Sequence, residues 1–279
     1  MAHRTVPALL VAALALAACG GGAAPTGGAS ASAAPATATA TPTVDPVALL
    51  TRSAAATKAA GSARVALQIT VAAAGTSVET TGTGSFDYGR NVGELTLTLP
   101  AESGLPGDIK EIITPEGVYL AGDPFGQPGR WVKVPVTGLG GSPLGQGFDL
   151  AQATRVLEAV DGPVTVVGRE PVRGQPTTRY TGRTDMAKAV ASLPAPQRST
   201  AARLLGPDTQ PSTFDAWVDE QGRLSRITTV LPANVDGTPS VITSTYEVFD
   251  FGVPVTVMVP DPATLVDVPG LGAALSGQG

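Results

Sequence analysis

The feature that most constrains this chain is a two-residue alternation of apolar and polar side chains that recurs along most of its length. In SARVALQITV, residues 62–71, Val65, Leu67, Ile69 and Val71 alternate with Ala66, Gln68 and Thr70. In GELTLTLP, residues 93–100, Leu95, Leu97 and Leu99 alternate with Glu94, Thr96 and Thr98. A period of two puts successive side chains on opposite faces of a strand, so each segment predicts a strand with one apolar face. TSVETTGTGSFDYG between them is Thr-rich and also reads as extended. IKEIIT, GVYLAG and RWVKV follow, and two hairpins pair PVTVVGRE with PTTRYTGRTD and TFDAWV with GRLSRITTVLP around Glu220-Gln221-Gly222. VITSTYEVFDFG and VTVMV complete the expected strands. The pattern is a repeated antiparallel meander with few crossovers.

Helices punctuate this series. Asp45 suits an N-cap, Pro46 the first helical position and Gly61 the residue after the end, which predicts a helix over VALLTRSAAATKAA. Asp149 precedes LAQATRVLEAV, where Leu150, Ala153, Val156, Leu157 and Val160 share a face. A further helical region starts at Asp185 and is broken by Pro194 and Pro196. Asp261 also sits where a cap is expected.

The N-terminus has a different character. MAHRTVPALLVAALALAAC has a short basic start and an apolar run from Val6 to Ala18, shorter than the ~20 residues needed to span a bilayer. It has the form of a signal peptide, residues 1–18. Leu16-Ala17-Ala18-Cys19 resembles a bacterial lipobox, and Cys19 is the chain's single cysteine. That resemblance implies a diacylglyceryl group on the Cys19 thiol, cleavage just before it, and residence at the outer face of the cell membrane. An ordinary secretory signal with a chance cysteine is the other reading. Residues 19–44 after it hold no charge and almost no large apolar side chain. Such a segment cannot offset its ordering entropy, so it reads as a disordered tether with a span of roughly 25–30 Å. Residues 45–279 form the expected folded domain.

Composition removes several functions. The 18 basic and 23 acidic residues give a net charge of −5, with no basic block, which speaks against nucleic-acid binding. The one histidine, His3, lies in the expected signal, so Ser-His-Asp and Cys-His mechanisms and zinc sites built on these residues have no parts. No GxSxG or GxxxxGK[ST] occurs. The chain is read as no enzyme, with no cofactor and no metal. The carboxylates Asp215, Asp219 and Glu220 gather at a hairpin, where a solvated turn is the expected reading. Trp131 and Trp217 lie in alternating strands and read as packing residues.

DAWVDEQGRLSRI and YEVFDFGVPVTVMVPDP, with the helix-to-strand start at residues 45–71, resemble the hairpin and closing strands of the actinobacterial LppX/LprG-type lipoproteins, a family with a LolA-like fold. The resemblance covers the ordered region loosely. It implies an α+β fold: a strongly curved antiparallel sheet, a half-barrel, covered on its concave side by helices. It implies an apolar cavity that binds or carries lipids or lipidated glycoconjugates, with an envelope transporter as a partner. The candidate cavity lining is Val65, Leu67, Ile69, Val71, Leu95, Leu97, Leu99, Leu150 and Leu157, and residues 101–108 and 138–147 are candidate gates. The alternative is that the same residues form a filled core. In that case the chain would be an envelope sensor or adaptor acting through a protein partner.

Overall fold

A computed structural model describes residues 45–101, 107–123, 128–135, 157, 159–191, 198, 205, 210–235 and 237–266. The helix at the start is the one its punctuation predicts. Helix α1 spans Pro46–Ala59, Asp45 accepts a hydrogen bond from the Val47 N–H at 3.0 Å, and Gly61 has a φ of +83°. Its buried stripe is Leu50, Ser53 and Thr57. The two hydroxyls donate to helix carbonyls, of Leu50 and Ser53, so their burial leaves no orphan. Thr57 also accepts from the Leu224 N–H at 2.8 Å, which ties the helix to the sheet. α1 packs against the strands that begin at Val160, Ser212 and Leu224.

Six strands run as one meander: β1 Ser62–Ala73, β2 Thr76–Asp87, β3 Val92–Leu99, β4 Gly107–Thr114, β5 Gly117–Gly122 and β6 Trp131–Pro135. Five form a second: β7 Val160–Arg169, β8 Thr177–Thr184, β9 Ser212–Asp219, β10 Leu224–Val235 and β11 Thr238–Phe249. A short helix, α2, Met186–Ala191, follows β8, with Asp185 accepting from the Lys188 N–H. The meanders join through antiparallel pairing of β1 with β11, so the strand order is β12-β6-β5-β4-β3-β2-β1-β11-β10-β9-β8-β7. The two ends of this order do not pair, and the sheet is large, curved and unclosed. Among the described residues, every pairing of strands is antiparallel except that of the two-residue β12, Leu265–Val266, with β6.

VTVMV, expected as a closing strand, does not join the sheet. Residues 253–260 belong to no strand and carry Pro254 and Pro260. The segment is held by side chains instead: Ser62 Oγ donates to the Val253 carbonyl and Arg90 Nη2 to the Val255 carbonyl, both at 2.5 Å. Proline lacks the N–H a ladder needs, and Met258 and Val259 stay exposed. The final strand is instead Leu265–Val266, set by Asp261, which caps a short helical turn at Pro262–Thr264.

Glycine permits the close approach of neighbouring strands at one point of the sheet. A Cβ on Gly84 would lie 2.1 Å from the Glu94 carbonyl oxygen of β3 and 2.5 Å from Leu95 Cδ1. Strand β3 therefore folds onto β2 more closely than any side chain allows. Gly84→Ala is expected to destabilise the fold by about 2 kcal/mol, because the obstacle is backbone and the two strands have to part. Urea unfolding checks this, and an unchanged midpoint would contradict it.

Candidate functional site

Strand register places the predicted wall residues on one face. One row across the sheet reads Val248, Val65, Gly84, Leu95, Glu111, Leu120 and Val132 in neighbouring strands β11 to β6. The next reads Ile227, Tyr246, Leu67, Gly82, Leu97, Ile109 and Gly122. Val65, Leu95, Leu97 and Leu157 are fully buried in a core cluster that also holds Leu50 of α1 and Phe214 of β9. Leu67 and Leu99 pack against its margin. Ile69 and Val71 continue the same face of β1 and are half-buried. The face is therefore packed at its centre and less buried along β1 toward the β1–β2 turn. Leu150, the candidate gate 138–147 and all but Ala101, Gly107 and Asp108 of the other candidate gate lie outside the described residues.

Glu111 is a functional candidate that the sequence reading passed over. It occupies the centre of the apolar row, opposite Leu95 on one side and Leu120 on the other, and has no exposed surface. Both carboxyl oxygens are buried without a hydrogen-bond partner. Burial raises its pKa from 4.5 to about 8, since a charge there has lost its water and gained nothing. Parity was the available signal. In GDIKEIIT, Glu111 shares its phase with Ile109 and Ile113, so a strand that buries those two also buries the carboxylate. Burial also raises the pKa of Tyr88, whose hydroxyl is likewise buried without a partner.

The opposite face is polar and paired. Trp217, a packing residue as expected, lies between the guanidiniums of Arg179 and Arg226, 5.1 and 5.2 Å from its ring. Arg179 pairs with Asp215 and Glu170. Arg226 and Arg173 both bond Glu247, at 2.5 and 2.7 Å. Burial pushes the Glu247 pKa up, but the bonds from Arg226 and Arg173 outweigh it and hold it below the usual range.

At the end of the sheet carrying the β9–β10 turn lies a cavity of about 500 Å³. Arg173 stacks 3.8 Å from the Phe249 ring and Arg223 stacks 4.0 Å from the Phe251 ring on its walls. The turn beside it is solvated at Glu220 and Gln221, as expected, while Asp219 is turned inward. Asp219 is nearly buried, accepts from the Gln221 and Arg223 N–H groups, and pairs with Arg223 at 2.7 Å. It organises the turn, as an acceptor for otherwise unpaired backbone donors. Among the described residues, no group of three or more His, Cys, Asp or Glu side chains could hold a metal, and no helix is long and apolar enough to cross a membrane.

No family model matches this sequence, and no curated protein matches it. Solved structures do. LprF from Mycobacterium bovis is 18% identical with a TM-score of 0.48, covering 77% of this chain and 96% of its own. LppX from Mycobacterium tuberculosis is 16% identical with a TM-score of 0.48, covering 76% and 97%. A LolA superfamily protein from Nitrosomonas europaea is 11% identical with a TM-score of 0.30, covering 76% and 96%. The chain is thus similar in structure to mycobacterial LprF and to the mycobacterial lipoprotein LppX along nearly their whole length and, more distantly, to a protein of the LolA superfamily.

Proposed function

We propose that this chain is a lipid-binding lipoprotein of the cell envelope, held at the outer face of the membrane through a diacylglyceryl group on Cys19. The observation that carries the reading is the continuous apolar face of a curved, open sheet. It is packed at its centre and half-buried along Leu67, Ile69 and Val71. Acyl chains of a lipid or lipidated glycoconjugate lie along that face, each buried CH₂ contributing about 0.8 kcal/mol. Helix α1, through Leu50, supplies part of the cover on the concave side. The reaction is non-covalent transfer rather than chemistry.

Anchoring has its own expected result. Cys19→Ser abolishes incorporation of radiolabelled palmitate into the protein. Two acyl chains hold a protein stably, whereas none of the chain's charge attracts it to anionic lipid. Label retained by the variant would overturn the assignment. Lipid binding is tested on the same full-length Cys19→Ser chain. It is incubated with phosphatidylcholine vesicles containing tritiated dioleoylglycerol and separated by flotation. Saturable protein-bound label is expected, and none above a lysozyme control would exclude a lipid site.

A second reading, an adaptor or sensor acting through an envelope protein, is favoured by the polar cavity between Arg173 and Arg223. It predicts a stable cross-linked partner that is lost on Arg173→Ala, with lipid uptake absent.

A further inference from the structure

We propose that the carboxyl group of Glu111 is the polar recognition point of the apolar interior, where it donates a hydrogen bond to an uncharged oxygen, an ester carbonyl or hydroxyl, of the bound lipid. This deepens the lipid-binding reading and rests on it.

The argument starts from position. Strand register fixes Glu111 on the face shared by Leu95, Leu97, Ile109 and Leu120, and the neighbouring charged side chains Lys110 and Glu94 fall on the other face. The core-face residues of the flanking strands are Gly93, Leu95 and Leu97 on β3 and Val118 and Leu120 on β5, none of them ionisable. Both Glu111 oxygens are buried without a partner, so a strong donor-acceptor group is held unused inside an aliphatic surface. Burying such a group unpaired costs more than any apolar residue of similar volume at that place. A leucine would complete the row. Neither oxygen has exposed surface, so a lipid oxygen reaches the carboxyl only where the packed centre of the face parts around it, and there it supplies the partner that the protein itself does not.

The chemistry of that partner follows from the proton. With no cation facing it on β3 or β5, the carboxyl stays protonated at neutral pH. It is then a donor in a dry, low-dielectric site. A fatty carboxylate or phosphate would carry its own unpaired charge into that site and is disfavoured. An ester or hydroxyl oxygen accepts the hydrogen bond with no charge to bury. Pure hydrocarbon gains nothing from Glu111 and leaves the carboxyl unsatisfied. The interior therefore selects acylated, oxygen-bearing lipid over alkane.

The test compares uptake from phosphatidylcholine vesicles of tritiated dioleoylglycerol, tritiated squalane and tritiated oleylamine at pH 7. It uses full-length Cys19→Ser chains carrying Glu111, Glu111→Gln or Glu111→Leu. Glu111 and Glu111→Gln, which both donate a hydrogen bond, are expected to prefer dioleoylglycerol over squalane by about tenfold. Glu111→Leu is expected to bring that preference close to parity while still binding squalane. The Leu variant is expected to be more stable than the parent, so a lost preference cannot come from unfolding. An unchanged preference in Glu111→Leu, with uptake intact, overturns this inference and leaves lipid binding standing. Preference of the parent for oleylamine overturns it in favour of a carboxylate–ammonium pair. Uptake of no probe by any chain removes the lipid-binding reading and this inference with it.

Discussion

Glu111→Leu is expected to make the protein more stable in alkaline buffer by up to about 5 kcal/mol. The free glutamate loses its proton near pH 4.5, whereas in the folded chain the proton is held to about 8. Between those values the folded state binds one proton more than the unfolded state, so stability falls as pH rises, and it levels off above about pH 8. At about 1.36 kcal/mol per pH unit, that gap gives the figure above. The carboxyl is fully buried, so solvent screening does not reduce it. Leucine at this place packs between Leu95 and Leu120 and does not titrate. The two proteins should differ least near pH 5 and most at pH 9, where the variant melts about 10 °C higher. Asp87 and Glu247, both held below the usual carboxylate range, act in a separate acid window, since their contribution is lost as pH falls. They are common to both proteins and cancel in the difference. Thermal melts across pH 5–9 measure it. Parallel curves for the two chains would show that Glu111 is not buried as a neutral acid.

Phe214→Ala is expected to cost about 4 kcal/mol, the usual range for deleting a buried aromatic ring. Phe214 is 1% exposed and joins Leu50 of α1 to the face of β9 in the core cluster. Its ring lies over Gly182 of β8, where a Cβ would come within 2.7 Å of the Phe214 Cζ atom. The ring is hemmed in by the core and cannot swing aside, so Gly182→Ala alone is expected to cost about 2 kcal/mol. In the Phe214→Ala background the new methyl group enters the vacated space, and the second change becomes nearly neutral. The double-mutant cycle should therefore show a coupling of at least about 1 kcal/mol by urea unfolding. Additive effects would mean that the ring and the glycine do not meet in solution.

Local order along the chain was legible because it rests on local rules. Asp45, Pro46 and Gly61 bracket α1 as expected, since a cap, a proline and a left-handed glycine act within one turn. Val65, Leu67, Leu95 and Leu97 fall on one face because a strand turns each residue over relative to the last. The exception, VTVMV, has strand composition but is stopped by Pro254 and Pro260, and its contacts are with side chains far away in sequence. Glu111 was legible by parity alone, yet its meaning was not, because a carboxylate at a core phase is informative only once its neighbours are known to lack a partner for it.

The sequence by itself determined most of the strands, VTVMV excepted, which face of each is apolar, and that Cys19 stands alone at the end of an apolar run. These depend on spacing along the chain. Only the tertiary structure decided that β1 pairs with β11, that burial falls along β1 from Val65 to Val71, and that one carboxyl sits unpaired in the core. Each of those depends on which segments distant in sequence lie side by side, and burial, the term that sets the proton on Glu111, does not exist until they do.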